Sequence, residues 1–254
     1  MESPLGLDLL VVGAGPAYTD RIGATGASYL LRSAGGSLLL DLGQGSFPRL
    51  AAEIDPAALD GVVISHLHPD HFIDLIPLRH FLCYHAEPPA RVAVHGPRAL
   101  GERIDALYGE PGFSAAALDI TPIAVGLSSI GSFTVEARRV THTDESYGFR
   151  VALGMDGPGL VYSGDCGRAD DLLPLIRPGD VLLSEVSFGV GPAPAGVEHL
   201  DAGQVGRLAA SAGVSRVLLT HLLMGNDRDA TVTATAAEAG TDVVLVEPGD
   251  RFSL

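Results

Sequence analysis

The sequence predicts a layered α/β protein in which two β-sheets pack between helices. Eleven short β-branched or leucine-rich runs recur along the 254 residues, too many for a single doubly wound sheet. The runs cluster early and late in the chain, with helix-like segments among them. The 32 glycines and 17 prolines are spread over the whole length, which divides the chain into many short elements joined by tight turns. No linker, repeat or low-complexity tract forces a split, so residues 1–254 read as one domain.

Taken in order, the first strand is Leu9–Val12, an unbroken apolar run that stops at glycine. The "GAGPAY" that follows, Gly13–Tyr18, has the start of a dinucleotide fingerprint. Its sixth position is Tyr18 and no helix with an apolar face comes after it, so it reads as a glycine turn. Strands follow at Tyr29–Leu31, Leu38–Leu40 and Val62–Ile64. A helix follows His71, and Pro77 marks a start or a kink near it. Val92–Val94 is a strand and Pro97–Tyr108 a helix. Thr134–Val140, Phe149–Leu153 and Leu160–Tyr162 are strands, and Ala169–Ile176 reads as a helix. The chain then alternates strand Val181–Leu183, helix Asp201–Ala212, strand Val217–Leu219, helix Ala230–Ala239 and strand Val243–Val246.

Charge and composition narrow the partners. All 16 basic residues are arginine, and 31 acidic residues give a net charge of −15, which repels long nucleic acids because their binding neutralises several phosphates at once. A bound cation would still hold a single phosphate. The first ten residues carry Glu2 and lack the basic start, apolar core and small-residue cleavage site of a signal peptide. No run approaches the roughly 18 apolar residues of a membrane span. Cys83 and Cys166 form no CxxC pair, which suits a reducing compartment and excludes a cysteine zinc cage. A cytoplasmic protein without a membrane partner is expected, and a homodimer stays open.

Function is written at the strand ends. Val62–Ile64 leads into His66, Thr134–Val140 into His142, Leu160–Tyr162 into Asp165, Val181–Leu183 into Glu185 and Val217–Leu219 into His221. Ligands of open α/β sheets collect at such carboxyl ends, so these side chains would converge on one rim. Within "SHLHPDH", residues 65–71, His66 and His68 are two apart and project to the same side of an extended backbone. Pro69 then turns the chain, so Asp70 and His71 can face a second position a few ångströms away, as in two-metal sites. His142, Asp165 and His221 would complete two shells of imidazole nitrogen and carboxylate oxygen. That donor set suits zinc best, with manganese or iron also accommodated. His80, His85 and His95 lack this context and read as ordinary surface or core residues.

"SHLHPDH", together with "SGD" at 163–165 and "LLTH" at 218–221, resembles the signature of the metallo-β-lactamase fold superfamily over essentially the whole chain. The resemblance implies a four-layer αββα sandwich with a dinuclear centre at one edge. His66, His68 and His142 would hold the first metal, Asp70, His71 and His221 the second, and Asp165 would bridge them. Asp41, in "LLLDLGQG", would be the buried aspartate that supports the metal loop; by itself it reads equally as a turn residue closing a strand.

"LLSEVSF", 182–188, and the stretch 199–221 resemble the ribonuclease Z and cyclic-nucleotide phosphodiesterase branch, in which a glutamate and a histidine sit beside the metals; here these are Glu185 and His199. A carboxylate hydrogen-bonded to an imidazole keeps it protonated near neutral pH, ready to serve as general acid. "THTDESYGFRV", 141–151, resembles the small bacterial phosphodiesterases. Cys166 and Val186 depart from the common threonine and alanine, which touches fine substrate geometry. Only 22 residues separate His142 from Asp165, enough for a hairpin and not for the long tRNA-gripping arm of many ribonuclease Z enzymes.

The leading expectation is therefore a dinuclear metallophosphodiesterase for small phosphodiesters such as cyclic nucleotides. Two cations would make hydroxide available at neutral pH, Asp70 would orient it, and His199 held by Glu185 would protonate the leaving oxygen. Hydrolysis of a lactone, thioester or lactam, a ribonuclease Z-like activity, and an inactive metal-binding sensor are the alternatives. The loops 18–26, 109–116 and 189–198 are expected to line the pocket.

Overall fold

The computed structural model describes residues 6–155 and 157–254; residues 1–5, on which part of the expectation of no leader segment falls, lie outside them. The first sheet begins as an antiparallel meander of β1 (Asp8–Gly13), β2 (Ser28–Ser33) and β3 (Gly36–Leu40). It continues in parallel through β4 (Gly61–Val63), β5 (Val92–Gly96) and β6 (Leu118–Pro122). The second sheet repeats the plan. An antiparallel meander of β7 (Gly126–Ile130), β8 (Phe133–Arg139), β9 (Tyr147–Ala152) and β10 (Gly159–Tyr162) gives way to parallel β11 (Val181–Glu185), β12 (Arg216–Thr220) and β13 (Asp242–Leu245). The last strand, β14 (Arg251–Ser253), returns to the first sheet beside β1.

Alternation along each strand builds three cores from one sequence pattern. Leu9, Val11, Tyr29 and Leu31 point between the sheets and meet Phe149, Val151, Leu160 and Leu183. Their neighbours Leu10, Val12 and Leu30 point outward under α1 (Phe47–Glu53), α2 (Pro69–Phe72), α3 (Leu75–Tyr84) and α4 (Leu100–Tyr108), against Leu50, Phe72, Leu75, Leu78 and Ile104. On the far side, Val161, Leu182 and Leu219 pack under α5 (Ala202–Ala212), against Val205 and Leu208, with α6 (Arg228–Ala239) beside it. The layers are thus αββα, as the motifs imply. Both faces of the central strands are covered, so their sequences read as continuous apolar runs, and each fully buried leucine contributes about 1.5–3 kcal/mol.

All eleven expected strands form, and the strands that were not expected are sheet edges. β6, β7 and β14 carry Asp119, Thr121, Ser128, Ser129 and Arg251 on half-exposed backbone, where no apolar run is needed. The helix expected over Ala169–Ile176 is corrected to a single 3-10 turn, Ala169–Leu172. Pro174 has no N–H to bond the carbonyl of Asp170, so the helical ladder stops. The expected helix from Pro97 starts at Leu100, whereas Asp201 is the N-cap of α5, closing a capping box with Gln204. Pro77 sits in the first turn of α3, where a missing N–H leaves no bond unmade. Gly13–Tyr18 ends β1 and runs past residues 25 and 26, with Gly15 N donating to Thr25 O and no helix following, which is the turn reading.

Candidate metal centre

The ends of β4, β8, β10, β11 and β12 open on one rim, and the expected side chains meet there. His66, His68, His142 and Asp165 bring one donor atom each to within 4.8 Å of one another; Asp70, His71 and His221 do the same, and so do Asp165, His199 and His221. Asp165 divides its carboxylate between the first two groups. Its Oδ2 lies 3.6 Å from Nε2 of both His66 and His142, while Oδ1 lies 3.3 Å from His71 Nε2 and 3.5 Å from His221 Nε2. Asp70 Oδ2 lies 3.1 Å from His221 Nε2 and 3.7 Å from His71 Nε2.

Local sequence explains the convergence. After β4, His66 and His68 leave an extended segment on the same side. Pro69 then opens the four-residue helix α2 (Pro69–Phe72), whose turn separates Asp70 and His71 from the first pair. Gly164 lets the "SGD" turn after β10 adopt a φ of +56° while passing Tyr147 O, which a Cβ would meet at 2.8 Å. Gly43 has a similar task. A Cβ there would lie 1.8 Å from the main-chain oxygen of Asp70, so glycine permits the close approach of the two loops.

The nitrogens turned away from the centre are held by partners that fix each ring. His71 Nδ1 lies 2.7 Å from Asp41 Oδ2, His142 Nδ1 donates to Glu198 O at 2.8 Å, and His221 Nδ1 lies 3.0 Å from Ser187 Oγ. With the proton on each of these outer nitrogens, the Nε2 atoms would turn lone pairs inward, the form a cation requires. Buried His66 Nε2, His71 Nε2 and Asp165 Oδ1 have no hydrogen-bond partner in the protein. Such orphaned atoms are costly in an ordinary core, and three of them converging with carboxylates fits a cation. Burial, reinforced by the charge of His71, holds the His66 ring well below its usual pKa, and burial with His142 lowers His68, so both rings favour the neutral form that a cation would need.

Asp41 is buried as the motif implies. It accepts Ser65 N at 2.6 Å, Ser65 Oγ at 2.7 Å and Tyr162 OH at 2.7 Å in addition to the imidazole. Glu185 is likewise buried, with Oε1 accepting Cys166 N and Oε2 accepting Ser187 Oγ. His199 Nδ1 lies 2.8 Å from Glu185 Oε1. Burial lowers the pKa of His199, but the hydrogen bond and charge of Glu185 outweigh it and raise the ring above its ordinary value. The thiol of Cys166 turns to Arg168 O and Val186 packs under α5, so neither departure places a new side chain among the donor atoms.

His80 packs with Tyr84, Tyr108 and Phe113, His85 caps α3, and His95 meets Thr121, all outside the three donor groups. Of the loops expected at the pocket, 189–198 reaches the centre through Glu198 O, and 18–26 adjoins it at Gly26, where a Cβ would lie 2.7 Å from Asp70 O. The segment 109–116 packs instead through Phe113 against Arg79 and His80 of α3. Ser65, Tyr162 and Ser187 are the supporting residues that motif reading missed. A buried hydroxyl leaves no periodic or charge signal, although Ser65 and Ser187 both lie inside motifs that were read.

Fold and donor set together define a metallo-hydrolase of the metallo-β-lactamase fold. The family model described as the Beta-lactamase superfamily domain matches residues 39–222, and the chain belongs to that family. An uncharacterized protein of Mycobacterium leprae is 32% identical over 96% of this chain and 92% of its own length. The probable metallo-hydrolase YhfI of Bacillus subtilis is 28% identical over 77% of this chain and 79% of its own. A ribonuclease Z of Thermobifida fusca is 26% identical over 97% and 94%. Among solved structures, YhfI superposes with a TM-score of 0.87, covering 98% of this chain and 99% of that one at 23% identity. A diphosphatase of the PhnP family gives 0.76, covering 98% of both at 16% identity. Among the described residues no helix is long and apolar enough to cross a membrane.

Proposed function

We propose that this chain is a dinuclear metallophosphodiesterase acting on small phosphodiesters, with cyclic nucleotides as the expected class. In this reading His66, His68 and His142 hold one divalent ion, Asp70, His71 and His221 the other, and Asp165 both; zinc suits the donors best. When bound, the ions activate water at neutral pH and neutralise charge growing on the phosphoryl oxygens. Asp70 also orients the attacking water. As the phosphorus–oxygen bond to the leaving ribose oxygen breaks, His199 gives that oxygen its Nε2 proton, and Glu185 stabilises the ring through Nδ1.

The observation that carries this reading is the Glu185–His199 pair set within reach of Asp165 and His221, at 2.8 Å between carboxylate and ring. A proton donor there favours a strongly basic leaving group, which a ribose oxygen is and a thiolate is not. The ribonuclease Z relative supports a phosphodiester as target. The net charge of −15, and the β9–β10 hairpin that takes up the span from His142 to Asp165, count against a long RNA. One domain, working in the reducing cytoplasm with two free cysteines, completes the proposal.

The test is a panel of cyclic nucleotides, bis-aryl phosphates, lactones, lactams and precursor tRNA with metal-reconstituted protein. Cyclic nucleotides are expected to lead. Lactones or lactams turned over with kcat/KM about tenfold or more above every cyclic nucleotide would replace this reading with carboxylic-bond hydrolysis. Efficient cleavage of precursor tRNA would replace it with a ribonuclease.

A further inference from the structure

Ser187 is fully buried at the junction of the second ligand group and the Glu185–His199 pair. Its Oγ lies 2.5 Å from Glu185 Oε2, 3.0 Å from His221 Nδ1 and 3.2 Å from His199 Nδ1. A hydroxyl has one proton and two lone pairs, and an ionised carboxylate only accepts. The proton therefore goes to Glu185 Oε2, and Ser187 Oγ must accept from His221 Nδ1–H. That assignment leaves His221 Nε2 with its lone pair turned toward Asp165 and Asp70. It also occupies Oε2, so that Oε1 remains for His199 and for the amide of Cys166.

We propose that Ser187 is a positioning residue that joins the second-ion ligand His221 and the Glu185–His199 pair into one unit. The inference deepens the functional reading above and rests on it for the presence of two ions. A buried hydroxyl that merely satisfied its own turn would need one of these bonds and not both. The amide of Ser187 already donates to Glu185 Oε2 at 3.2 Å, so the carboxylate has a main-chain donor without the side chain. The hydroxyl adds the bond from His221 and the second bond to Oε2. Removing it would leave His221 free to turn its ring or exchange tautomers, while His142 keeps Glu198 O and His66 keeps Ser65 Oγ as partners.

The experiment is zinc titration against a competing chelator, followed as two successive equivalents, on the wild type, Ser187→Ala and Ser187→Thr. In Ser187→Ala the weaker equivalent should lose about 10- to 100-fold in affinity while the tighter one changes by less than about twofold. Ser187→Thr, which keeps the hydroxyl, should restore both. The unchanged tighter equivalent also certifies that the variant is folded. At saturating zinc, kcat of Ser187→Ala should fall without a matching rise in KM, and adding it to His199→Ala should cost little more. Equal weakening of both equivalents, no weakening of either, or failure of threonine to restore binding would overturn the inference. A wild type that takes up a single ion would overturn the dinuclear reading itself, a distinct result.

Discussion

Asp41 and His221 share a backbone state that no other non-glycine residue adopts among the described residues: both lie in the left-handed region, at φ 57° and 58°. One opens the loop after β3 in the first sheet and the other the loop after β12 in the second. Left-handed backbone costs a non-glycine residue on the order of 1 kcal/mol and persists where its surroundings over-determine it. Asp41 is held by the three hydroxyl and amide donors of Ser65 and Tyr162 and by His71, and His221 by its amide bond to Ala14 O and by Ser187.

The first prediction follows from that restraint. Asp41→Asn tolerates the left-handed backbone but turns an NH₂ toward groups that donate. It should destabilise the metal-free protein by about 3 kcal/mol in urea unfolding, the scale for breaking a buried charged network. It should also reduce metal uptake through loss of the grip on His71. Unchanged stability and metal content would refute the supporting role.

Metal content gives the second. Protein purified without added metal should carry about two transition-metal ions per chain, mainly zinc, by elemental analysis. Asp165→Ala should lower the content most, since this carboxylate faces both groups, and chelation of the wild type should lower its melting temperature by ligand linkage. Less than about half an equivalent of any transition metal, with no activation on adding it, would exclude the centre.

His199→Ala separates chemistry from metal binding. Metal content should be kept while turnover of a cyclic nucleotide falls on the order of 10²-fold or more. For an aryl phosphate, whose leaving group needs little protonation, the loss should shrink. Equal damage to both substrates would count against proton donation by this ring.

Gly43→Ala tests the packing beneath the second ligand group. A Cβ placed 1.8 Å from Asp70 O must push that loop by more than 1 Å, because both partners are main chain. The variant should lose the ion held by Asp70, His71 and His221 while retaining the one at His66, His68 and His142. Stepwise chelator competition would read this as loss of one equivalent, and retention of both would show that the loops yield.

Much of this was legible because the residues involved are few in kind and regularly placed. His66, His68, Asp70 and His71 sit in one uninterrupted stretch, and His142, Asp165 and His221 each stand one to three residues beyond a strand core. The central strands announced themselves because burial on both faces demands apolar side chains. The edge strands β6, β7 and β14 stayed hidden for the opposite reason, and Ala169–Ile176 misled because Pro174 removes one donor from an otherwise helical pattern. Ser65 and Tyr162 reach Asp41, and Ser187 reaches His221, across segments distant in sequence, which no local pattern encodes.

The division of donors between the two sheets has a consequence for how the protein is made. Asp70 and His221 stand 151 positions apart and belong to different sheets, so the ribosome delivers the first half of the cage long before the second. At the usual pace of translation the interval is on the order of ten seconds or more. For the first 95 of those positions the nascent chain displays His66, His68, Asp70 and His71 without Asp165, and until the second sheet is complete the inner face of the first lacks its full cover. The seven donors of the first two groups are therefore brought together only once His221 has emerged and the two sheets have packed.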